Sequence, residues 1–236
     1  MHRCNDKINY VTKIPKKLHY FWFGGGKKNE LIQKCLLSWK EHLPEYEIIQ
    51  WNETNYDVQK NPITARAFAD KKWAFLSDYA RLDVLYEYGG VYLDTDIEIV
   101  KSLDIFLNHG VFLGMESKEH ANASILGSTP KHWFIKEVLD SYQADQEYTT
   151  IPIKVTRVLK RYISIEDTYS NFDDVAVYPH EYFYPFGFTE KFTTECLTEN
   201  THAIHWWDHS WGSKKAKWLK RFGLLNLAQS FMNKLS

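Results

Sequence analysis

The sequence is short of cysteine and has no long apolar run. Three cysteines occur in 236 residues, at positions 4, 35 and 196, and no two of them form a CxxC pair. An odd number without paired spacing argues against a disulfide framework or a zinc knuckle and favours a reducing compartment. No stretch approaches the roughly 18 apolar residues of a membrane-spanning helix, and the N-terminal segment does not resemble a signal peptide. We therefore expect a cytoplasmic protein, soluble or peripheral at the inner face of a membrane.

An excess of charge of either sign is also missing. The chain has 29 Lys and Arg residues against 30 Asp and Glu residues, so its composition does not indicate a nucleic-acid partner. Hydrophobic residues make up 44% of the chain, which is typical of a globular domain. Aromatic residues, in contrast, reach 16%, with 9 Trp and 15 Tyr. Aromatic rings either fill a core or provide the flat faces on which sugars and nucleobases stack, and composition leaves both interpretations open.

The N-terminal half predicts a nucleotide-binding type of α/β domain. Residues 17–23 indicate a buried strand that ends at three glycines, residues 30–42 an amphipathic helix, and residues 47–51 a second strand. This βαβ opening is typical of such domains. Residues 52–72 are polar and are predicted to be loop, and a helix is predicted from about Lys72 to Tyr88, where two glycines end it. Further elements are predicted near residues 131–142 and 154–162 (helices), and 175–178 and 202–206 (strands).

Residues 91–100 are predicted to form one strand with a polar face. Side chains alternate along a strand, so Tyr92, Asp94, Asp96 and Glu98 would share the face opposite the apolar positions. Two carboxylates at i and i+2 can hold a divalent cation together with a ribose hydroxyl, because Mg²⁺ and Mn²⁺ prefer oxygen ligands. The alternative is a solvated strand end. The apolar opposite face favours a crevice at the carboxyl edge of a sheet.

Two other segments carry candidate site residues. Asp78 and Arg81 lie three residues apart on the predicted helix, close to Ser77, and form either a surface ion pair or a clamp for sugar and phosphate. Downstream, residues 203–211 place two histidines, one aspartate and three tryptophans together. A histidine there would complete a metal site. The spacing does not decide between His205, Asp208 and His209.

Three motifs together resemble glycosyltransferase family 32, whose members are DXD-containing sugar transferases, including bacterial capsular polysaccharide enzymes. The motifs are KIPKKLHYFWFGG, LSDYARLDVLYEYGGVYLDTDIEIV and IHWWDHSW, and they span roughly residues 13–211. A lower similarity to the clostridial glucosylating toxins accompanies them. The resemblance implies an α/β fold of the GT-A type, a single nucleotide-sugar-binding domain with a central mixed sheet flanked by helices. It also implies a retaining transfer and a divalent cation, Mn²⁺ or Mg²⁺.

Site residues follow from the matched motif positions. The resemblance implies that Trp22 stacks on the nucleobase, that Arg81 meets the donor sugar and nucleotide, and that Asn122 faces the sugar. The other expected substrate contacts are Ser77, Asp78, Tyr92, Asp94, Ser210 and Trp211.

The implied metal ligands are Asp94, shared with the ribose, Asp96 and His205. Catalysis is assigned to Asp94, Asp96 and Arg81. Where the family often has small residues before its Ser-Trp pair, this chain has Asp208 and His209, which keeps all three completing ligands open.

The predicted function is therefore hexose transfer from a UDP- or GDP-linked sugar to a glycan or lipid-linked acceptor, in surface polysaccharide synthesis. Residues 1–212 would form the transferase domain. Residues 213–236 would form a basic amphipathic helix that either touches an anionic membrane or packs on the domain. The alternatives are a metal-dependent phosphatase, in which one Asp of the DxD pair is the nucleophile, and a non-catalytic carbohydrate-binding module. The first predicted strand carries no carboxylate, which disfavours the phosphatase.

Overall fold

The computed structural model describes residues 13–143 and 148–208. The described strands are β1 Lys17–Phe21, β2 Glu47–Trp51, β3 Gly90–Leu93, β4 Ile97–Ile99, β5 Val111–Met115, β6 Ala121–Ser128, β7 Ser170–Phe172, β8 Val175–Tyr178 and β9 Ala203–His205. The described helices are α1 Glu30–His42, α2 Pro62–Ala69, α3 Trp73–Tyr88, α4 Trp133–Gln143 and α5 Ile151–Leu159. Seven strands form a mixed sheet in the order β2-β1-β3-β6-β5-β8-β7, and β4 pairs with β9 in a separate ribbon.

The opening βαβ unit has the predicted arrangement. Strand β1 pairs in parallel with both β2 and β3, so the carboxyl ends of β1 and β3 meet at one edge of the sheet. Helix α1 begins at Asn29, whose side chain accepts a hydrogen bond from the N–H of Ile32. Such a cap satisfies a backbone donor that would otherwise lack a partner. Trp39 on the buried face of α1 donates to the carbonyl of Ile97 and so joins the helix to the β4–β9 ribbon.

The predicted single strand over residues 91–100 is wrong. Strand β3 ends at Leu93, and a turn over Asp94, Thr95 and Asp96 separates it from β4. The N–H of Ile97 donates to the carbonyl of Asp94 and closes this turn. The chain leaves the main sheet here because β4 pairs with β9 instead of continuing alongside β6. The two carboxylates therefore share a turn, not a strand face.

Other boundaries differ from the sequence predictions as well. The segment predicted as loop contains α2, which Asn61 caps and Pro62 begins. Strands β5, β6 and β7 were not predicted. β5 and β6 are buried along their whole length, so their residues lack the alternation that reveals a half-buried strand. Helices α4 and α5 and strand β9 lie within a few residues of their predicted positions.

The sheet separates two apolar layers. Side chains of α2, α3, α4 and α5 pack on one face. On the other face, α1 and the β4–β9 ribbon pack together with aromatic residues of the segment from 178 to 186. Within the described ranges, no helix is both long and apolar enough to cross a membrane.

Candidate active site

A cavity of about 720 Å³ opens at the carboxyl ends of β1 and β3. Three segments form its walls: the chain after β1, the buried side of α3, and the polar ends of β5 and β6. The turn after β3 and the end of β9 meet at the same cavity. The predicted site residues of the described part of the chain that line it are Trp22, Ser77, Asp78, Arg81, Tyr92, Asp94, Asp96, Asn122, His205 and Asp208.

Asp94 is held from three directions. Its backbone N–H donates to the carbonyl of Ser124 on β6 at 2.8 Å. The hydroxyl of Tyr92 donates to its Oδ1 at 2.5 Å, and Nη2 of Arg81 lies 3.2 Å from the same oxygen. One carboxylate oxygen is thus fixed by protein donors, and the turn presents the group at the cavity.

Arg81 on α3 makes several buried contacts, and its side chain is only 4% exposed. It donates to Asp78 at 2.7 Å, to the carbonyl of Ala123 at 2.9 Å, and through Nε to the carbonyl of Ser77 at 3.2 Å. Burial works to lower its pKa, but the negative charges of Asp94 and Asp78 raise the pKa above the ordinary value for arginine. The Asp78–Arg81 pair is therefore a buried ion pair inside the protein. Its burial excludes the alternative of a surface ion pair.

Asp96 faces a histidine from the far end of the chain. Its Oδ1 lies 3.4 Å from Nε2 of His205, and its Oδ2 accepts the backbone N–H of Asp208 at 2.7 Å. Although burial by itself raises the pKa of a carboxyl group, the His205 ring and the N–H of Asp208 hold the pKa of Asp96 below its ordinary value. The direction of this shift favours the charged form of the buried Asp96 carboxyl group.

Three side chains in the described part of the chain fit a divalent cation. Ligand atoms of Asp94, Asp96 and His205 all lie within 4.8 Å of one another. His205 is 6% exposed, and its buried Nδ1 has no hydrogen-bond partner among the described residues. Two carboxylates with one imidazole suit Mn²⁺, and two carboxylates suit Mg²⁺. The geometry therefore favours His205 as the third ligand.

The other candidates for the third ligand are differently placed. The carboxylate of Asp208 accepts a hydrogen bond from the Nδ2 of Asn29 at 2.7 Å, next to the beginning of α1. Asp208 contributes its backbone N–H to Asp96 instead. His209, Ser210, Trp211 and the predicted tail helix at residues 213–236 lie outside the described residues.

An aromatic wall follows strand β1. The indole of Trp22 donates to the carbonyl of Gly26 at 2.6 Å, and the ammonium group of Lys28 lies 5.1 Å from the centre of its ring. Gly24 has a φ of +76°, and a Cβ there would lie 3.1 Å from the ring of Trp73. The glycine thus lets the backbone pass close to a second indole that also lines the cavity. Trp73 was not predicted as a site residue.

A polar wall on β5 and β6 completes the cavity. Nδ2 of Asn122 donates to Oε2 of Glu116 at 2.6 Å, and Oδ1 of Asn122 accepts both the N–H and the hydroxyl of Ser124. Burial raises the pKa of Glu116, while the hydrogen bond from Asn122 and the nearby His205 oppose that rise. Glu116 and Ser124 were missed in the sequence, because the strands that place them were not predicted. The apolar run at residues 111–115, followed directly by a carboxylate, is the signal that could have found Glu116.

Residues 29–113 match the family model described as "Glycosyltransferase sugar-binding region containing DXD motif". This match confirms the resemblance read from the motif around Asp94 and Asp96. It covers α1 through β5 and so includes α3 and the turn after β3. The chain thus carries a glycosyltransferase-type sugar-binding region.

Three curated relatives are glycosyltransferases longer than this chain. The human alpha-1,4-N-acetylglucosaminyltransferase is 25% identical over 61% of this chain and 45% of its own length. The mouse lactosylceramide 4-alpha-galactosyltransferase is 32% identical over 56% of this chain and 40% of its own length. The inositol phosphoceramide mannosyltransferase 3 of Schizosaccharomyces pombe is 27% identical over 56% of this chain and 38% of its own length. The chain spans less than half the length of each of these relatives.

A solved structure has the same fold. The PaToxG glycosyltransferase superposes with a TM-score of 0.51 at 20% identity, over 65% of this chain and 71% of the other. Together with the mixed seven-stranded sheet flanked by helices, this likeness confirms the predicted α/β fold of the GT-A type.

Proposed function

We propose that the chain is a retaining, cation-dependent glycosyltransferase that moves a hexose from a UDP- or GDP-linked sugar to a glycan or lipid-linked acceptor. The observation that carries this proposal is the meeting of Asp94, Asp96 and His205 at one cavity that Trp22 also lines. A cation-ligand cluster beside an aromatic surface suits a nucleoside diphosphate, because the phosphates require charge neutralisation and the base requires a stacking partner.

The charge of the cavity supports a requirement for a cation. Its described lining contains five carboxylates but only two side chains, Lys27 and Arg81, that carry a full positive charge at neutral pH. A diphosphate entering this negative field would be repelled. Asp94, Asp96 and His205 would hold Mn²⁺ or Mg²⁺, which when bound neutralises the leaving diphosphate.

The described residues orient the donor in this proposal. Trp22 receives the nucleobase in this scheme, since it lines the cavity directly after β1. Arg81 keeps Asp94 in place with one oxygen engaged, so the other oxygen remains for the donor ribose and the cation. Arg81 acts as a positioning residue in this scheme, because its hydrogen bonds already go to protein acceptors. Preorganised groups of this kind need no rearrangement when charge develops on the leaving oxygen.

The names of the relatives support the finer parts of the proposal. Two of them specify an alpha linkage, and two name ceramide-based lipids as acceptors. Transfer from an α-linked nucleotide sugar to an α-linked product retains the anomeric configuration, with the acceptor attacking on the face that the diphosphate leaves. A lipid-linked acceptor also suits peripheral contact with the cytoplasmic face of a membrane in surface polysaccharide synthesis.

A donor panel tests the proposal. Wild-type protein is incubated with Mn²⁺ and, separately, UDP-glucose, UDP-galactose, UDP-N-acetylglucosamine and GDP-mannose, and released nucleoside diphosphate is measured. We expect slow release from at least one donor, abolished by EDTA and reduced at least about 100-fold in Asp96→Asn. The matched control is Asp104→Asn, because Asp104 binds Lys16 and Tyr46 away from the cavity.

The competing functions give other results. A phosphatase would release phosphate from monoesters and leave nucleotide sugars intact. A carbohydrate-binding module would release nothing in either assay. Near-wild-type release by Asp96→Asn in Mn²⁺ would show that the cation-ligand assignment is wrong.

A further inference from the structure

Glu116 follows β5 and lines the same cavity as the turn over Asp94, Thr95 and Asp96 (the DXD turn), with strand β6 between β5 and β3. Asn122 on β6 pairs with Gly114 on β5, so Glu116, two residues further along, is the diagonal neighbour of Asn122 on the same face of the sheet. On the other side of β6, the N–H of Asp94 donates to the carbonyl of Ser124. Because neighbouring strands lie about 4.8 Å apart, β3 and β5 are about 10 Å apart across β6.

The amide of Asn122 has little hydrogen-bonding capacity left for a sugar. Its Oδ1 already accepts two hydrogen bonds from Ser124, and its Nδ2 already donates to Glu116. A carbonyl oxygen has two lone pairs, so the acceptor side of this amide is saturated. The residue that the family resemblance places against the sugar therefore serves mainly to hold its two neighbours.

Glu116 has acceptor capacity to spare. Only its Oε2 is engaged by a side chain, and no hydrogen bond to Oε1 occurs among the described residues. An ionised carboxylate accepts at about four sites, and a half-satisfied carboxylate lining a polar cavity is suited to binding hydroxyl groups. Gly114, which pairs with Asn122, packs directly on the aromatic layer, since a Cβ there would lie 2.6 Å from the ring of Phe183.

We propose that Glu116 is the specificity-determining residue of the donor-sugar subsite, where its carboxylate accepts hydrogen bonds from hydroxyls of an uncharged hexose and repels a hexuronic acid. This inference rests on the proposed function and names its substrate class. In this proposal Glu116 contacts the sugar and not the nucleobase, because Trp22 follows β1, which β3 and β6 separate from β5. Binding of the nucleoside diphosphate alone is then independent of Glu116.

The test compares Glu116→Gln with Glu119→Gln. Gln retains an oxygen that accepts from Asn122 but loses the charge, and Glu119 is an exposed residue of the same hairpin. With Mn²⁺ present, kcat/KM for the best neutral donor of the wild type should fall about 10- to 100-fold in Glu116→Gln. The Kd of UDP or GDP, measured by titration calorimetry, should stay within about twofold. UDP-glucuronic acid should bind Glu116→Gln more tightly than it binds wild type.

Each outcome bears on one claim. If wild type releases nucleoside diphosphate from no donor, the proposed function fails and this inference fails with it. If wild type is active but Glu116→Gln matches Glu119→Gln on every donor, only the assignment of Glu116 is overturned. Equal weakening of nucleotide and nucleotide-sugar binding in Glu116→Gln would show a purely structural role and would likewise overturn it.

Discussion

Arg81 shows how one buried residue serves both stability and the site. Its guanidinium lies 4.3 Å from the centre of the Tyr92 ring while it contacts Asp78 and Asp94. Asp78 in turn accepts the N–H of Ile151 at the beginning of α5. The charge is costly to bury, so it persists only because its partners are buried with it. A single side chain thus ties α3, α5 and the DXD turn together.

We expect Arg81→Met to lower the free energy of unfolding by about 3–5 kcal/mol, since it leaves Asp78 buried and unpaired. The matched control is Arg161→Met, which removes an exposed ion pair with Glu137 and should cost about 1 kcal/mol or less. Urea denaturation followed by tryptophan fluorescence measures both. Arg81→Lys should fall between them, because an ammonium keeps the charge but loses the planar fork. If both methionine variants lost the same free energy of unfolding, the stabilising role of the buried Arg81 would be contradicted.

At the scale of elements, the junction between α3 and β3 depends on two glycines. Gly89 ends the helix with a φ of +63°, and Gly90 continues with a φ of +104°. A Cβ at Gly90 would lie 2.5 Å from the carbonyl oxygen of Lys17 on β1. This close approach lets β3 enter the sheet beside β1 immediately after the helix. The DXD turn is four residues further along, so its position follows from the junction.

Gly90→Ala should therefore destabilise the fold by about 3 kcal/mol, from an unfavourable φ and a backbone clash together. Gly25→Ala is the matched control, because Gly25 also has a positive φ of +65° but a Cβ there meets nothing within 4 Å. Gly25→Ala should lower the free energy of unfolding by about 1 kcal/mol. Chemical denaturation measures the free energy of unfolding of both variants, and unchanged m-values make the two values comparable. A Gly90→Ala variant as stable as Gly25→Ala would show that the junction tolerates a side chain.

At the scale of the whole molecule, the cation site joins distant parts of the chain. Asp96 follows β3, whereas His205 ends β9, and the two meet because β4 and β9 pair in antiparallel register with Ile97 opposite His205. The ring of His205 is packed against Trp207 at 4.0 Å and against Tyr184 at 5.8 Å between centroids. A ligand bound there would couple the ribbon to the main sheet.

Mn²⁺ at about 100 times its Kd should stabilise the native state by about 2.7 kcal/mol. For a chain of this size that corresponds to a rise in Tm of roughly 5–10 °C. Differential scanning calorimetry should show this rise in wild type and in Asp104→Asn, and its loss in Asp96→Asn and His205→Gln. A full Mn²⁺ shift in His205→Gln would remove His205 from the ligand set, independently of any activity.

Much of the site could be predicted from the sequence, because many of its residues lie close together along the chain. Residues 73–96 contain helix α3, the glycine junction and both carboxylates, and the helical spacing of Asp78 and Arg81 predicts their contact directly. The alternation argument predicted that Asp94 and Asp96 lie together, which the structure shows, but it assumed the wrong backbone geometry. A turn closed by the carbonyl of Asp94 presents both groups, and no pattern of period two encodes it.

The sequence by itself determined the βαβ opening, the helix that carries Asp78 and Arg81, and the identity of the DXD pair, because each depends on contacts within about 25 residues. Tertiary structure alone decided that His205 meets Asp96 while the side chain of Asp208 binds Asn29, and that Glu116 lines the cavity beside an Asn122 whose Oδ1 already accepts two hydrogen bonds. These contacts depend on the pairing of β9 with β4 and on the position of the buried strands β5 and β6. Uniformly buried strands carry no periodic signal, and the register between distant strands is set only when the layers pack.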